Sequence, residues 1–348
     1  MICRKAETGG SAAVWVMEGG ATGAARREAG RMPRILTVTL NPALDVATEV
    51  DRLEPEAKMR CAAPRHDPGG GGVNVSRAIA RLGGTSTAFV ALGGAVGAQH
   101  RALLAAEGLD VLPFDIPGET RQSFMVTERG TGRTYRFVLP GPAWDADTVE
   151  AALARLAALP AGDGLLVLSG SVPPGVPDDH AARLSARLAD WGWRLVLDVS
   201  GPALRAAASG AGAGAHLLRM DRRETGMLLG TDGPDAAAAA GLGRRLVEAG
   251  AARIVTIGLG AEGALAVTAD GAWRVVPPPV RVVSATGAGD SFVAGFVLGL
   301  WEGWPVPLCL ARAMAAATSA VTTPATALCT AEGTAAALAR IVPERCDA

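Results

Sequence analysis

A glycine-rich turn, Ser284-Ala-Thr-Gly-Ala-Gly-Asp290-Ser291, stands directly before the apolar run Phe292 to Leu300. Such a turn opening a helix presents free backbone N–H groups, and the helix dipole adds partial positive charge. That is an anion hole suited to a transferring phosphoryl group, whose charge sits on its peripheral oxygens. Asp290 falls in the first helical turn, where a carboxylate can accept the proton of an attacking hydroxyl. The same residues also describe a plain N-terminal helix cap with glycine for tight packing, and G-x-G-D is short. A second glycine run, Gly69 to Gly72, also enters a helix and carries Asn74. Four glycines allow close approach to the backbone, and an amide suits sugar hydroxyls. Two further loops follow buried strands: Asn41-Pro-Ala-Leu-Asp45, and Leu168-Ser-Gly-Ser171-Val-Pro-Pro-Gly175. Either alone is an ordinary turn; two at strand ends of one sheet suggest a site.

Composition removes several classes. The 348 residues hold 33 basic and 34 acidic side chains, a net charge of −1, so no basic excess exists to grip a nucleic acid. Aromatics are 4%, with Tyr135 the single tyrosine, which argues against base-stacking platforms. The cysteines are odd in number with no C-x-x-C spacing, and the four histidines are scattered, so disulfide frameworks and zinc sites are not expected. The apolar run Ala313 to Ala331 is made of small residues with Pro324 inside, which reads as a buried helix and a turn, not a membrane span. Gly258-Leu-Gly260-Ala-Glu-Gly263 matches G-x-G-x-x-G, but Ala264 to Thr268 reads as a strand. A dinucleotide fingerprint needs a helix there. No P-loop and no protein-kinase signature occurs. Lysine is nearly absent: only Lys5 and Lys58 break an arginine-only pattern, which singles out Lys58.

The elements that must position these residues follow from periodicity. Residues 1–31 lack it and read as a disordered extension, with Met32 an alternative start; the folded domain runs 32–348. Arg34 to Leu40 reads as a buried strand. Strand-like stretches at Asp45–Leu53 and Lys58–Arg65, and a hairpin at Gln122–Glu128 and Thr134–Leu139, lack covering helices. They form a β lid from about 45–66 and 120–140. From Asp145 onward, strands at 164–168, 194–199 and 253–257 alternate with long helices. That rhythm means crossover connections: an α/β, three-layer αβα sandwich on a mostly parallel sheet. Loops after Leu40, Leu168, Val199 and Ile257 should line the site.

From about Arg34 to Ile341 the chain resembles the PfkB (ribokinase-like) carbohydrate kinases. The resemblance rests on Gly287–Asp290 and Gly69–Asn74 in the expected order. Thr39-Leu-Asn-Pro-Ala-Leu-Asp45, Lys58-Met-Arg-Cys61, Thr120-Arg-Gln122, Tyr135 to Gly141 and Ser169 to Gly175 point to the 6-phosphofructokinase branch. Relatives acting on fructose 1-phosphate or tagatose 6-phosphate tend to carry Gly-Gly-Lys-Gly where this chain has four glycines. The resemblance implies a ribokinase-like fold and ATP-dependent phosphorylation of the 1-hydroxyl of fructose 6-phosphate, with the other two sugars as alternatives. It implies that Asp290 is the base and that Gly287, Ala288 and Gly289 form the anion hole. Asp45, Gly70, Gly71, Asn74 and Ser171 would hold the sugar, Arg121 its 6-phosphate, and Lys58 would reach the transferred phosphate. Gly258, Gly260, Gly263, Thr286 and Arg219 would lie at the nucleotide, and Asp221 and Glu224 would serve Mg2+. It further implies a cytoplasmic homodimer joined through the lid.

Two departures stand out. The family's Asn-x-x-Glu appears here as Asp221-Arg-Arg-Glu224, after Arg219. Asparagine, glycine and arginine positions beside the family's potassium site appear as Thr323, Ala325 and Ala327, which argues against potassium activation. A catalytically inactive sugar-phosphate sensor on the same fold is the rival from another class, and the intact Gly287–Asp290 argues against it.

Overall fold

Long apolar runs that cannot alternate with solvent must be covered on both faces, and that sets the architecture of this chain. The computed structural model describes residues 2–6, 14–18, 35–160, 162–188, 192–210 and 214–346. Two units are distinguished, Met1–Pro33 and Arg34–Ala348. In the first, β1 (Ile2–Ala6) pairs antiparallel with β2 (Val14–Glu18), Ile2 opposite Glu18. These strands correct the expectation of an irregular extension; Val14, Trp15 and Val16 carry the strand preference that the glycines around them concealed. The rest of that expectation, and a start at Met32, lie outside the described residues.

The second unit runs β3 (Ile35–Thr39), β4 (Ala43–Val50), β5 (Arg65–Gly69), α1 (Gly71–Arg81), β6 (Thr87–Leu92), α2 (Gly94–Ala106), β7 (Asp110–Asp115), β8 (Arg121–Glu128) and β9 (Thr134–Val138). It continues through α3 (Ala146–Ala157), β10 (Gly164–Ser169), α4 (His180–Leu188), β11 (Trp193–Asp198), α5 (Gly201–Ala208), β12 (Ala215–Asp221), α6 (Arg222–Leu229), α7 (Ala236–Glu248) and β13 (Ala252–Gly258). It ends with β14 (Ala264–Thr268), β15 (Gly271–Val275), α8 (Ala288–Trp301), α9 (Val306–Val321), α10 (Ala331–Leu338) and β16 (Glu344–Arg345).

Ten strands form the main sheet in the order β16-β15-β14-β13-β12-β11-β10-β3-β6-β7. From β13 to β7 every pair is parallel; β14, β15 and β16 add antiparallel strands at one edge. The two-residue period splits the apolar runs between two cores. Leu36, Leu166 and Leu218 face a core filled by α3, α4, α5 and α7, while Ile35, Leu165 and Leu217 face one filled by α1, α8, α9 and α10. Each such buried side chain stabilises the layers by about 1.5–3 kcal/mol. This is the three-layer sandwich expected. The run that could have been read as a membrane span is α9 with the turn after it, and among the described residues no helix is long and apolar enough to cross a membrane.

A second sheet, ordered β5-β4-β8-β9, is the lid. Its central pair, β4 and β8, is parallel, Ala43 beside Arg121 through Val50 beside Glu128. The β8–β9 hairpin was expected; a strand at Lys58–Arg65 was not found. Residues 51–64 form an exposed loop, and the strand begins at Arg65. Pro55 and Pro64 deprive that stretch of ladder donors.

Candidate active site

Parallel registers bring functional loops to one edge. Asp198 ends β11 beside Ser169 at the end of β10, and Asp221 ends β12 beside Gly258 of β13. Facing this edge are the N-termini of α1 and α8. Neither has a side-chain cap, whereas α3, α6, α7 and α10 each have one. At α1 the Val73 N–H donates to Thr39 Oγ1 at 2.8 Å and at α8 the Ala288 N–H lies 3.4 Å from the Ala285 carbonyl, which leaves the remaining first-turn N–H groups to face an anion.

At α8 the N-cap is Gly287 in the left-handed region, φ 77°. A Cβ there would collide with Leu328. Asp290 sits in the first turn, and its Oδ2 accepts a 2.9 Å hydrogen bond from Asn74 Nδ2 of α1. Burial pushes Asp290 up to about 7, with the Asp198 charge adding, while the Asn74 bond and Arg219 oppose. A carboxyl poised near neutrality is fitted to take a proton at working pH. Arg219 Nη1 pairs with Asp198 Oδ1 at 3.0 Å, and Asp198 Oδ2 accepts from Ser169 Oγ at 2.8 Å. A Cβ on Gly289 would lie 2.9 Å from Arg219 Nη2, so the guanidinium lies against the anion hole.

The glycine run entering α1 is demanded by packing as well as by approach. A Cβ at Gly69 would strike Asp45 Oδ2. One at Gly71 would strike Ser169 Oγ and come within 2.6 Å of the Gly170 nitrogen, and Gly70 has φ 125°. Asp45, on β4, lines a cleft with Ser123, Arg136, Thr286 and Thr326. Burial pushes Asp45 up to about 6 while Arg136 and Arg121 hold it down. Arg121 begins β8 and donates through Nε and Nη2 to the Asn41 carbonyl at 3.2 and 3.1 Å. Asn41 Nδ2 in turn donates to Ser171 Oγ at 3.1 Å.

Asp221 and Glu224 form a capping box at the start of α6. Glu224 N donates to Asp221 Oδ1 and Asp221 N to Glu224 Oε2, each at 2.8 Å. One oxygen of each carboxylate remains. Burial pushes Glu224 up, with Asp221 and Asp198 adding. Gly258 ends β13, Gly260 (φ 66°) has open space where a Cβ would be, and Gly263 is closed by the Val275 carbonyl.

Most expected residues thus converge. Thr286, expected at the nucleotide, lines the cleft with Asp45. Lys58 is not brought in: it lies on the exposed 51–64 loop, with no hydrogen bond or ion pair among the described residues. Sequence reasoning missed Asp198, Arg136, Asn41 and Ser169. The loop after Val199 had been expected at the site, so a carboxylate ending that strand was the available signal for Asp198; Arg136 offered none beyond its neighbours.

A buried carboxylate in the first turn of a helix without a side-chain cap, opposite a lidded polar cleft, is the arrangement that a phosphotransferase for small polyols needs. The chain belongs to the pfkB family of carbohydrate kinases, whose model matches residues 38–332. It is 40% identical over 300 residues, 85% of this chain and 86% of the relative, to "ATP-dependent 6-phosphofructokinase isozyme 2" of Mycobacterium tuberculosis. It is 38% identical over 306 residues, 87% of this chain and 97% of the relative, to the isozyme of that name from Escherichia coli. A "1-phosphofructokinase" of Xanthomonas campestris is 34% identical over 268 residues, 77% of this chain and 84% of that one. Among solved structures, phosphofructokinase-2 from E. coli in complex with potassium superposes with TM-score 0.84 and 36% identity, covering 89% of this chain and 99% of that one. The fructose-6-phosphate complex of the same enzyme gives TM-score 0.82 over the same shares.

Proposed function

We propose that this protein transfers the γ-phosphoryl group of ATP to the 1-hydroxyl of fructose 6-phosphate, giving fructose 1,6-bisphosphate and ADP. The Asn74–Asp290 pair at the free N-terminus of α8 carries the reading. Asp45, Gly70, Gly71 and Ser171 would fix the sugar, and Arg121 with Arg136 its 6-phosphate, for which a guanidinium fork is suited. Asp290 takes the 1-hydroxyl proton as the oxygen attacks in line. The N–H groups of Gly287, Ala288 and Gly289, with Arg219 alongside, receive the charge on the transferring group.

ATP would lie along Gly258 and Gly260, over the end of β12. The free oxygens of Asp221 and Glu224 fit Mg2+, which asks for one or two carboxylates besides substrate phosphates. Bound there, it would neutralise phosphate charge. Potassium is left out of the proposal. Thr323, which stands where the family's potassium site has asparagine, turns its hydroxyl to the carbonyls of Ala320 and Leu328.

Gly71 favours fructose 6-phosphate over the two alternative sugars. It stands where relatives acting on those sugars tend to carry lysine, and the packing of Ser169 and Gly170 leaves no room for a Cβ. A homodimer through the lid fits the exposed Tyr135, Phe137, Val138 and Leu139 along its edge; an E. coli phosphofructokinase-2 structure is described as a tetrameric inhibited form. We place the enzyme in the cytoplasm.

The test is an ADP-release assay with ATP–magnesium on fructose 6-phosphate, tagatose 6-phosphate and fructose 1-phosphate. We expect the highest kcat/KM for the first. Asp290→Asn should lower kcat by about 10²–10⁴-fold while sparing sugar binding. Sugar-phosphate binding without turnover on any of the three would support the sensor instead.

A further inference from the structure

Arg77 is 2% exposed, and the transfer scheme gives it no work. Its Nε and Nη2 fork onto Glu107 Oε2 and Oε1 at 2.7 and 2.6 Å, beside the end of α2. Its Nη1 turns the other way, within 3.3 Å of the Pro68 carbonyl, 3.4 Å of Asn74 Oδ1 and 3.5 Å of the Thr326 carbonyl. Asn74 is 8% exposed and lies between two groups of opposite demand. A guanidinium only donates; an ionised carboxylate only accepts. One orientation of the amide satisfies both, with Oδ1 toward Arg77 and Nδ2 toward Asp290.

We propose that Arg77 is a positioning residue for the phosphoryl transfer: it locks the Asn74 amide so that Nδ2, not Oδ1, meets Asp290. The inference rests on Asp290 being the base. Released from Arg77, the amide can turn. Its oxygen then accepts from a protonated Asp290, which favours the form that cannot act. The carboxyl therefore ionises at higher pH when Arg77 is lost. Asp198 from β11, Asp45 from the lid and Arg219 from β12 also act on Asp290; Arg77 holds Asp45 down, so its loss leaves Asp45 less charged, which works against the rise at Asp290.

The experiment compares kcat against pH for the full-length enzyme and for Arg77→Met and Arg77→Lys, each with Asn74 intact and with Asn74→Ala. In parallel, Asp290 is titrated without substrate through aspartate labelled at the carboxyl carbon. In Arg77→Met the acidic limb and the titration should both rise by about one pH unit, with kcat falling about five-fold near neutrality and returning in alkali. Lysine, a single point donor, should restore part of the shift. With Asn74→Ala, replacing Arg77 should raise neither quantity. An unmoved limb in folded Arg77→Met, or the same shift with and without Asn74, overturns the proposal. Should Arg77→Met not fold, Glu107→Gln loosens the same arginine from a partner that is 32% exposed. A smaller upward shift is then expected, and none would overturn the idea. If wild type turns over no ketohexose phosphate, the functional reading fails, and the carboxyl titration still decides the role of Arg77.

Discussion

Replacing Asp198 by asparagine probes how the site sets its base. Asp198 pairs with Arg219 at 3.0 Å, the two side chains 11% and 18% exposed, and its charge lifts the ionisation of Asp290. The amide keeps the shape and removes the charge. Two effects then act in one direction: a neighbouring negative charge disappears, and Arg219 loses its neutralising partner. Nearby charges move a carboxyl by about 1–3 pH units, and Asp290 stands at about 7. The acidic limb of kcat should therefore fall by at least about one unit, so that Asp198→Asn loses less of its activity on acidification than wild type does. Stability moves the other way. Stranding one partner of a buried pair costs about 3–5 kcal/mol. Glu224 and Asp221 also support Arg219, so about 2–3 kcal/mol is expected, or roughly 3–5 °C in Tm for a unit of this size. The assay is kcat across the pH range, paired with calorimetry at one pH. A fall in Tm with an unmoved limb would refute the electrostatic reasoning, because Asp198 would then be a structural partner of Arg219 and nothing more.

Asp290→Asn should also raise stability in alkali. The carboxyl ionises near 3.8 when unfolded and near 7 when folded, so wild type loses stability as pH rises through that window and asparagine does not. A Tm gain of up to about 6 °C at pH 8, which nearly vanishes by about pH 4, is expected; the same gain at both would disprove it. Gly71→Ala forces a shift of Ser169–Gly170. It should cost about 1–3 kcal/mol in denaturant midpoint and at least about ten-fold in kcat/KM, and unchanged values would show that the loop yields freely. Arg136→Ala should raise KM for the sugar phosphate about 10–100-fold with kcat little altered. A fall in kcat at constant KM would place Arg136 at the transferring group instead.

What was legible in the chain was local. Apolar runs named the buried strands, and the glycines before Asp290 and before Asn74 named two helix entries, because cap chemistry is written within a few residues. Asp198 was one acidic residue among many. Its meaning comes from the register that sets β11 beside β10 and from Arg219 on the next strand, neither of which has a local signature. Arg77 stood three positions after Asn74, a helical neighbour in plain view, yet its tie to Glu107 depends on how α1 packs near α2. Lys58 was singled out by its rarity and by the family resemblance; two prolines make its segment an exposed loop, and a loop's position is not written in its residues.

The parallel pairing of β4 with β8 has a consequence for synthesis. The partners are separated by β5, α1, β6, α2 and β7, so the lid closes only after that intervening chain has been made and placed. By the time Val138 has left the ribosome, both Asp45 and Arg121 exist. Asp290 then still lies 152 residues further along the chain. During that interval β3, which ends as an interior strand, has one unpaired edge waiting for β10. The nascent chain thus carries Asp45 and Arg121 before it has Asp290, and it holds open an adhesive strand edge that later lies inside the sheet.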